Sequence, residues 1–333
     1  MRLSRAAATG AALVAAAAIT AAVGVHDRTA GERAAAAGAP KPIKVASASL
    51  PTKPASYLGV YVPGVPNSYR PLTSFTATTG VRPNIVVYYS AWFEPFQSGF
   101  AVAAAGHHAV PLVQIDPSHV SLDAIAYGKY DSFLNAYASA VRLYRRPVIL
   151  SFGHEMNAPW YPWGDRHTSA ATFVAAWRHI VTLFHNDGAY NATWMWTVNV
   201  ISPGQHVVSP AAWWPGQPYV NWVGIDGYYR TSTATFAGLF GPTEAAVHGL
   251  TRDPVLISET GVAPGPARLT EIPGLFTGAR AARVLGLVWF DANGTQDWQL
   301  DSPAVLTAFR RGAQAYRAGG GTSTRAPPRG TGQ

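Results

Sequence analysis

Eight short runs of apolar, β-favouring residues punctuate the chain, and their spacing constrains the fold more than any other feature. They fall at residues 57–62, 85–92, 109–115, 147–152, 193–198, 222–228, 254–258 and 286–290. Most are continuously hydrophobic rather than alternating, the pattern of parallel strands covered on both faces. Between several of them lie stretches of helical period. Phe133, Leu134, Tyr137, Val141 and Tyr144 recur at three- and four-residue steps, as do Phe173, Val174, Trp177, Ile180, Val181 and Phe184. Parallel strands require a crossover, usually a helix, so strand and helix repeated eight times predict an α/β fold, a single (β/α)8 TIM barrel. No shorter internal repeat is visible, which argues against a solenoid or propeller. The 333 residues are ample for one such barrel, of about 250 residues, with flanking segments.

The flanks read differently. Arg2 and Arg5 precede an uncharged, alanine-rich stretch, and Ala22-Val23-Gly24 offers small residues for cleavage, the layout of a secretory signal. An uncleaved membrane anchor of about 20 apolar residues is the competing reading; either one exports the rest of the chain. The expected organisation is a signal peptide or anchor at 1–25, a flexible linker at 26–56, the barrel at 57–317 and a disordered Gly/Thr/Pro-rich tail at 318–333. The formal charge of +8 belongs to these flanks. Seven of the 25 basic residues precede Pro54 and three follow Tyr316, while only two of the 17 acids lie outside that interval, so the barrel segment is formally neutral. A neutral body with no basic stripe excludes nucleic acid as a partner, and no membrane contact is expected after signal cleavage. With no cysteine in the chain, disulfides and thiolate chemistry are excluded. The histidines lack ligand spacing and the glycines form no phosphate cradle, so neither a metal nor an organic cofactor is expected.

A (β/α)8 barrel places its chemistry at the C-terminal ends of its strands. Glu155 follows the fourth apolar run and Glu259 closes the seventh, where a carboxylate has no packing reason to stand. Two carboxylates at one rim suit glycoside hydrolysis, in which one protonates the leaving oxygen and the other attacks the anomeric carbon. The aromatic residues point to the same ligand class, because the C–H faces of sugars stack on indole and phenol rings. Trp92, Trp160, Trp163 and Trp289 stand at or just past strand ends and are the candidate sugar platforms, with Asn157 beside them. Trp177, Trp194, Trp196 and Trp222 fall within elements and are assigned to the core.

The run from Ser151 to Gly164, with its His154-Glu155-Met156-Asn157 core, closely resembles the acid/base segment of glycoside hydrolase family 26, the β-mannanase-like family of (β/α)8 glycosidases. Ser258-Glu259-Thr260-Gly261 resembles the segment that carries its nucleophile. The resemblance implies that Glu155 is the general acid/base and Glu259 the nucleophile, with His154 helping to orient the nucleophile and Tyr228 hydrogen-bonding to it. It also places Trp160 and Trp289 at aromatic positions around the sugar subsites. Three departures bear on the substrate. Ser151 stands where many members have an arginine, Asn157-Ala158 replaces Asn-Gly, and Gln114 and Asp116 occupy the region where mannanases carry a sugar-contacting histidine.

These readings combine into a secreted, retaining endo-β-glycanase that acts as a monomer, without cofactor, on an uncharged polysaccharide such as β-1,4-mannan or mixed-linkage β-glucan. Hydrogen bonds from His154 and Tyr228 are expected to favour the ionised form of Glu259. The alternative is a non-catalytic glycan-binding barrel that keeps the aromatic rim.

Overall fold

The computed structural model describes residues 50–202 and 206–318. The segments read as an export signal (1–25) and most of the linker (to 49), and all but the first residue of the predicted tail, lie outside the described residues. Among the described residues, no helix is long and apolar enough to cross a membrane.

Eight parallel strands close into a barrel in sequence order: β1 (Tyr57–Tyr61), β2 (Ile85–Ala91), β3 (Val110–Asp116), β4 (Val148–Phe152), β5 (Ala192–Asn199), β6 (Trp222–Asp226), β7 (Val255–Thr260) and β8 (Gly286–Phe290). Closure is made by β1 against β8, in register from Tyr57↔Gly286 to Tyr61↔Phe290. The surrounding helices are α1 (Arg70–Thr79), α2 (Ser98–Gly106), α3 (Leu122–Ala126), α4 (Asp131–Tyr144), α5 (Ala170–Asn186), α6 (Phe236–His248), α7 (Arg268–Ala281) and α8 (Pro303–Ala318). The two helical periods legible in the sequence are α4 and α5. In α5, the Ser169 hydroxyl accepts the Thr172 N–H at 3.0 Å, and Phe173, Trp177, Ile180, Val181 and Phe184 are buried against the barrel. Capping satisfies an amide that the first turn leaves free, and the apolar stripe supplies the burial that holds the helix in place. Between β5 and β6 the strand–helix alternation lapses. Two short 3₁₀ turns, Pro210–Trp213 and Gln217–Tyr219, replace the helix, because closely spaced prolines remove the amides an α-helix needs.

Side chains alternate along each strand, so the barrel interior is built in levels. The lowest level is apolar and contains Val87, Leu112, Ile149, Met195, Trp222 and Leu256. Two residues further along the strands, Gln114, Ser151, Thr197 and Ser258 form a buried polar level. One step higher lie the strand ends, where the carboxylates gather.

Candidate active site

The chain leaves β4 through a tight turn in which Gly153 and Glu155 both adopt left-handed backbone, each with φ of 55°. That conformation costs a non-glycine residue about 1–2 kcal/mol. It is tethered here by the Glu155 N–H, which donates to the Thr197 carbonyl of β5 at 2.9 Å. The Glu155 carboxylate is thereby turned into the mouth and is 6% exposed. One oxygen accepts from Asn199 Nδ2 at 2.5 Å and the other from Trp160 Nε1 at 2.6 Å.

Regular alternation along β7 would send Ser258 and Glu259 to opposite faces. The pairing shifts register between Ile225 and Asp226 on β6, and between Ile257 and Thr260 opposite β8. Such irregularities re-aim side chains, and both Ser258 and Glu259 reach the interior. One Glu259 oxygen accepts the Tyr89 hydroxyl and the other the Tyr228 hydroxyl at 2.7 Å. Burial pushes the Glu259 carboxyl above its ordinary acidity range. The charge of His154 and the two phenol donors pull it back down in part, while Glu155 adds to the rise. The expectation that hydrogen bonds would favour ionised Glu259 captures only the smaller contributions, since full desolvation outweighs them.

His154 stands between the carboxylates, 2% exposed, with its ring against those of Tyr161, Tyr89 and Trp163. Its Nδ1 lies 3.1 Å from an Asp116 oxygen, close enough for an ion pair but without the alignment of a hydrogen bond. Burial pushes the imidazole down. The carboxylates of Asp116, Glu259 and Glu155 more than reverse this and bring it to about 9, so it is a cation at neutral pH. His154 therefore acts on Glu259 through charge, whereas Tyr228 acts through a direct hydrogen bond.

Of the four tryptophans read as sugar platforms, only Trp160 presents an open ring, at 46% exposure. Trp92 packs among Tyr130, Phe133 and Phe152, and Trp163 stacks on Tyr161 at 4.6 Å while donating to the His154 carbonyl. Trp289, wholly buried, packs on Phe309 and donates to the Trp298 carbonyl. The correction at Trp289 follows from strand phase: it points outward to the helices, and the next residue, Phe290, turns inward and stacks on Tyr61 at 4.8 Å. Asn157 is likewise buried rather than facing a ligand. Its amide donates to the Asn199 and Val208 carbonyls and accepts the Asn199 N–H, fixing the residue that holds Glu155.

Five members of the site escaped the sequence reading: Tyr89, Asn199, Asp226 and the Tyr61–Phe290 pair. Strand phase could have found Tyr61, Tyr89 and Phe290, because each is an inward position near the end of its strand. Asp226 is wholly buried at the end of β6, with one oxygen accepting the Ser258 hydroxyl at 2.5 Å. Burial, reinforced by Glu259 and Glu155, pushes it well above its ordinary value. One oxygen each from Glu155, Asp226 and Glu259 lie within 4.8 Å of one another, a set close enough to hold a cation.

Two buried carboxyls converging on the mouth of a (β/α)8 barrel from the ends of strands 4 and 7, one held by indole and amide donors and the other by two phenols, define a glycoside-cleaving enzyme. The chain belongs to glycosyl hydrolase family 26, whose family model matches residues 103–270, just over half of its length. It is 28% identical over 270 residues to Endoglucanase H of Acetivibrio thermocellus, covering 76% of this chain and 30% of that protein. It is 32% identical over 83 residues to mannan endo-1,4-β-mannosidase A and B of Caldalkalibacillus mannanilyticus, covering 23% of this chain and 15% of that one. The chain thus spans less than a third of the length of either relative. Among solved structures, it resembles a modular endo-β-1,4-mannanase from Cellulomonas fimi with a TM-score of 0.62 at 15% identity, over 81% of this chain and 76% of that one, a likeness of fold.

Proposed function

We propose that the protein is a secreted, retaining endo-β-glycanase acting on β-1,4-linked glucan, mixed-linkage β-glucan included. In the first step Glu259 attacks the anomeric carbon while Glu155 protonates the departing oxygen. In the second, Glu155 takes a proton from water, and that water displaces Glu259 from the sugar. Tyr89, Tyr228 and the His154 charge hold the nucleophile, Trp160 and Asn199 hold the acid/base, and Trp160 with the Tyr61–Phe290 pair offers ring faces to the sugar.

The spacing of the pair carries this reading. One oxygen of Glu155 and one of Glu259 lie within 4.8 Å of each other, a close approach that supports the roughly 5–5.5 Å carboxyl separation of retaining enzymes over the roughly 6.5–9.5 Å that admits an inverting water. Two observations favour glucan over mannan. A relative matched over 76% of this chain, and over 30% of its own length, is named an endoglucanase. In place of the expected sugar-contacting histidine stand Gln114, wholly buried, and Asp116, paired with His154. Export by residues 1–25 and action as a monomer belong to the same proposal.

The test is hydrolysis of a panel of soluble β-glycans with product anomers followed by NMR. Glu259→Gln should abolish turnover. Glu155→Gln should lose about 10²–10⁴-fold on glycan yet keep its first step on an aryl glycoside whose leaving group needs no proton. Release of the inverted anomer would refute the mechanism, and preference for mannan would refute the substrate. If the parent releases no sugar from any β-glycan, the enzymatic reading fails for this chain.

A further inference from the structure

The mechanism above uses two carboxyls, and a third, that of Asp226, stands directly beside them. Asp226 occupies the inward position at the end of β6, and its partner across the ladder is Glu259 itself. It is wholly buried, and an oxygen of each of the three carboxyls lies within 4.8 Å of the others. Its Oδ1 accepts the Ser258 hydroxyl at 2.5 Å; its Oδ2 is buried and has no hydrogen-bond partner among the described residues.

The groups around it decide its charge. Glu259 and Glu155 face it, both acidic, and among the described residues Ser258 is the single donor to it. Tyr89 and Tyr228 stand close enough to sense its charge, but their hydroxyls are committed to Glu259. The imidazolium of His154 faces Asp116, Glu259 and Glu155. In the level below, the hydroxyls of Ser151 and Thr197 bond each other at 2.9 Å. Gly224 adds nothing there, since even a Cβ would come within 2.5 Å of Ser258 Oγ and 2.6 Å of Thr197 Oγ1. An anionic Asp226 in this space would be desolvated, repelled by the ionised nucleophile and, once Glu155 has given up its proton, by that carboxylate as well, and matched by no cation among the described residues.

We propose that Asp226 is a positioning residue of the active site, held as the neutral acid, whose Oδ2–H is a donor directed among the Glu155 and Glu259 carboxyls rather than a third negative charge. This accounts for the orphan oxygen: an ionised Oδ2 can only accept and meets no donor among the described residues, whereas a protonated Oδ2 is itself a donor, in a cluster where one oxygen of each glutamate lies within 4.8 Å of an Asp226 oxygen. It also explains how two acids of opposite role can operate with a third carboxyl alongside. The neutral group holds the pair apart and oriented without adding repulsion to the ionised nucleophile. The inference rests on the assignment of Glu155 and Glu259 as the reacting pair.

Two measurements test it. In protein labelled with ¹³C-aspartate, the infrared carbonyl stretch of a protonated aspartic acid should be present at neutral pH and lost in Asp226→Asn. This readout needs neither substrate nor turnover, and absence of the band from the parent protein overturns the proposal whatever the variants do. In kinetics, Asp226→Asn, an uncharged isostere, should keep kcat within about threefold and leave both limbs of the pH–rate profile in place, while Asp226→Ala should lose about a hundredfold in kcat. Loss in Asn equal to that in Ala, a displaced limb in Asn, or parental kinetics in Ala would each overturn it. A band without glycan hydrolysis by the parent refutes the glycanase reading alone, whereas hydrolysis without a band refutes this inference alone.

Discussion

The charge on His154 makes a prediction that can be worked through in energy. In an unfolded chain the imidazole titrates near 6.5, and in the folded protein near 9. Between those values the folded state binds a proton that the unfolded state has released, so folding stability is fully present below pH 6.5 and falls as pH rises through 9. At about 1.4 kcal/mol per pH unit, the loss is about 3 kcal/mol. With the ring 2% exposed, solvent does little to screen it. Urea unfolding followed by the fluorescence of the tryptophans, run from pH 6.5 to 9.5, should show that decline in the parent protein. His154→Gln keeps a polar side chain but carries no proton to lose, and its stability should change by less than about 1 kcal/mol over the same interval. Parallel lines for the two proteins, or a parent that gains stability toward pH 9, would show that the histidine is not held as a cation between Asp116 and the two glutamates.

Two further outcomes follow from the site. The nucleophile is effective only when ionised, and Glu259 is pushed upward, so kcat/KM should fall as pH drops through a value above the ordinary carboxylate range. Tyr228→Phe removes a donor that favours the ionised form, and should move this acid limb about one unit to higher pH; a limb that stays put or moves to lower pH would contradict the assignment. The tryptophans should divide by burial. Trp289→Ala should cost about 3–5 kcal/mol of stability through the cavity it leaves, with KM unchanged in the fraction that folds. Trp160→Ala should leave stability nearly intact and lower kcat/KM roughly 10–100-fold through the lost hydrogen bond to Glu155; matched unfolding curves for the two variants would undo the distinction.

The barrel is legible in the chain because parallel strands covered on both faces must be written as apolar runs, and those runs coincide closely with β1 to β8. Glu155 and Glu259 are legible for the converse reason: a carboxyl at the end of such a run lowers no packing energy and calls for a chemical purpose. The family was readable from the segments around the same two residues, and its model matches the chain. Trp289 shows where this kind of reading stops. A position near a strand end is visible in sequence, but which way the side chain points depends on phase and bulges, and one residue of phase sends Trp289 into the core and Phe290 to the mouth.

What the sequence by itself determined is the class of fold, the family and the two carboxyls that stand at the strand ends, because each follows from local pattern. Only the tertiary structure decided who holds the pair and with what charge. Tyr89 meets Glu259 across 170 residues of chain, Asn199 is aimed by Asn157, and Asp226 comes beside two other carboxyls because the register of β6 against β7 brings it there. Acidity, too, is a property of the assembled site. The upward push on Glu259 and the cationic state of His154 arise from burial and from neighbours that exist only once the eight strands have closed.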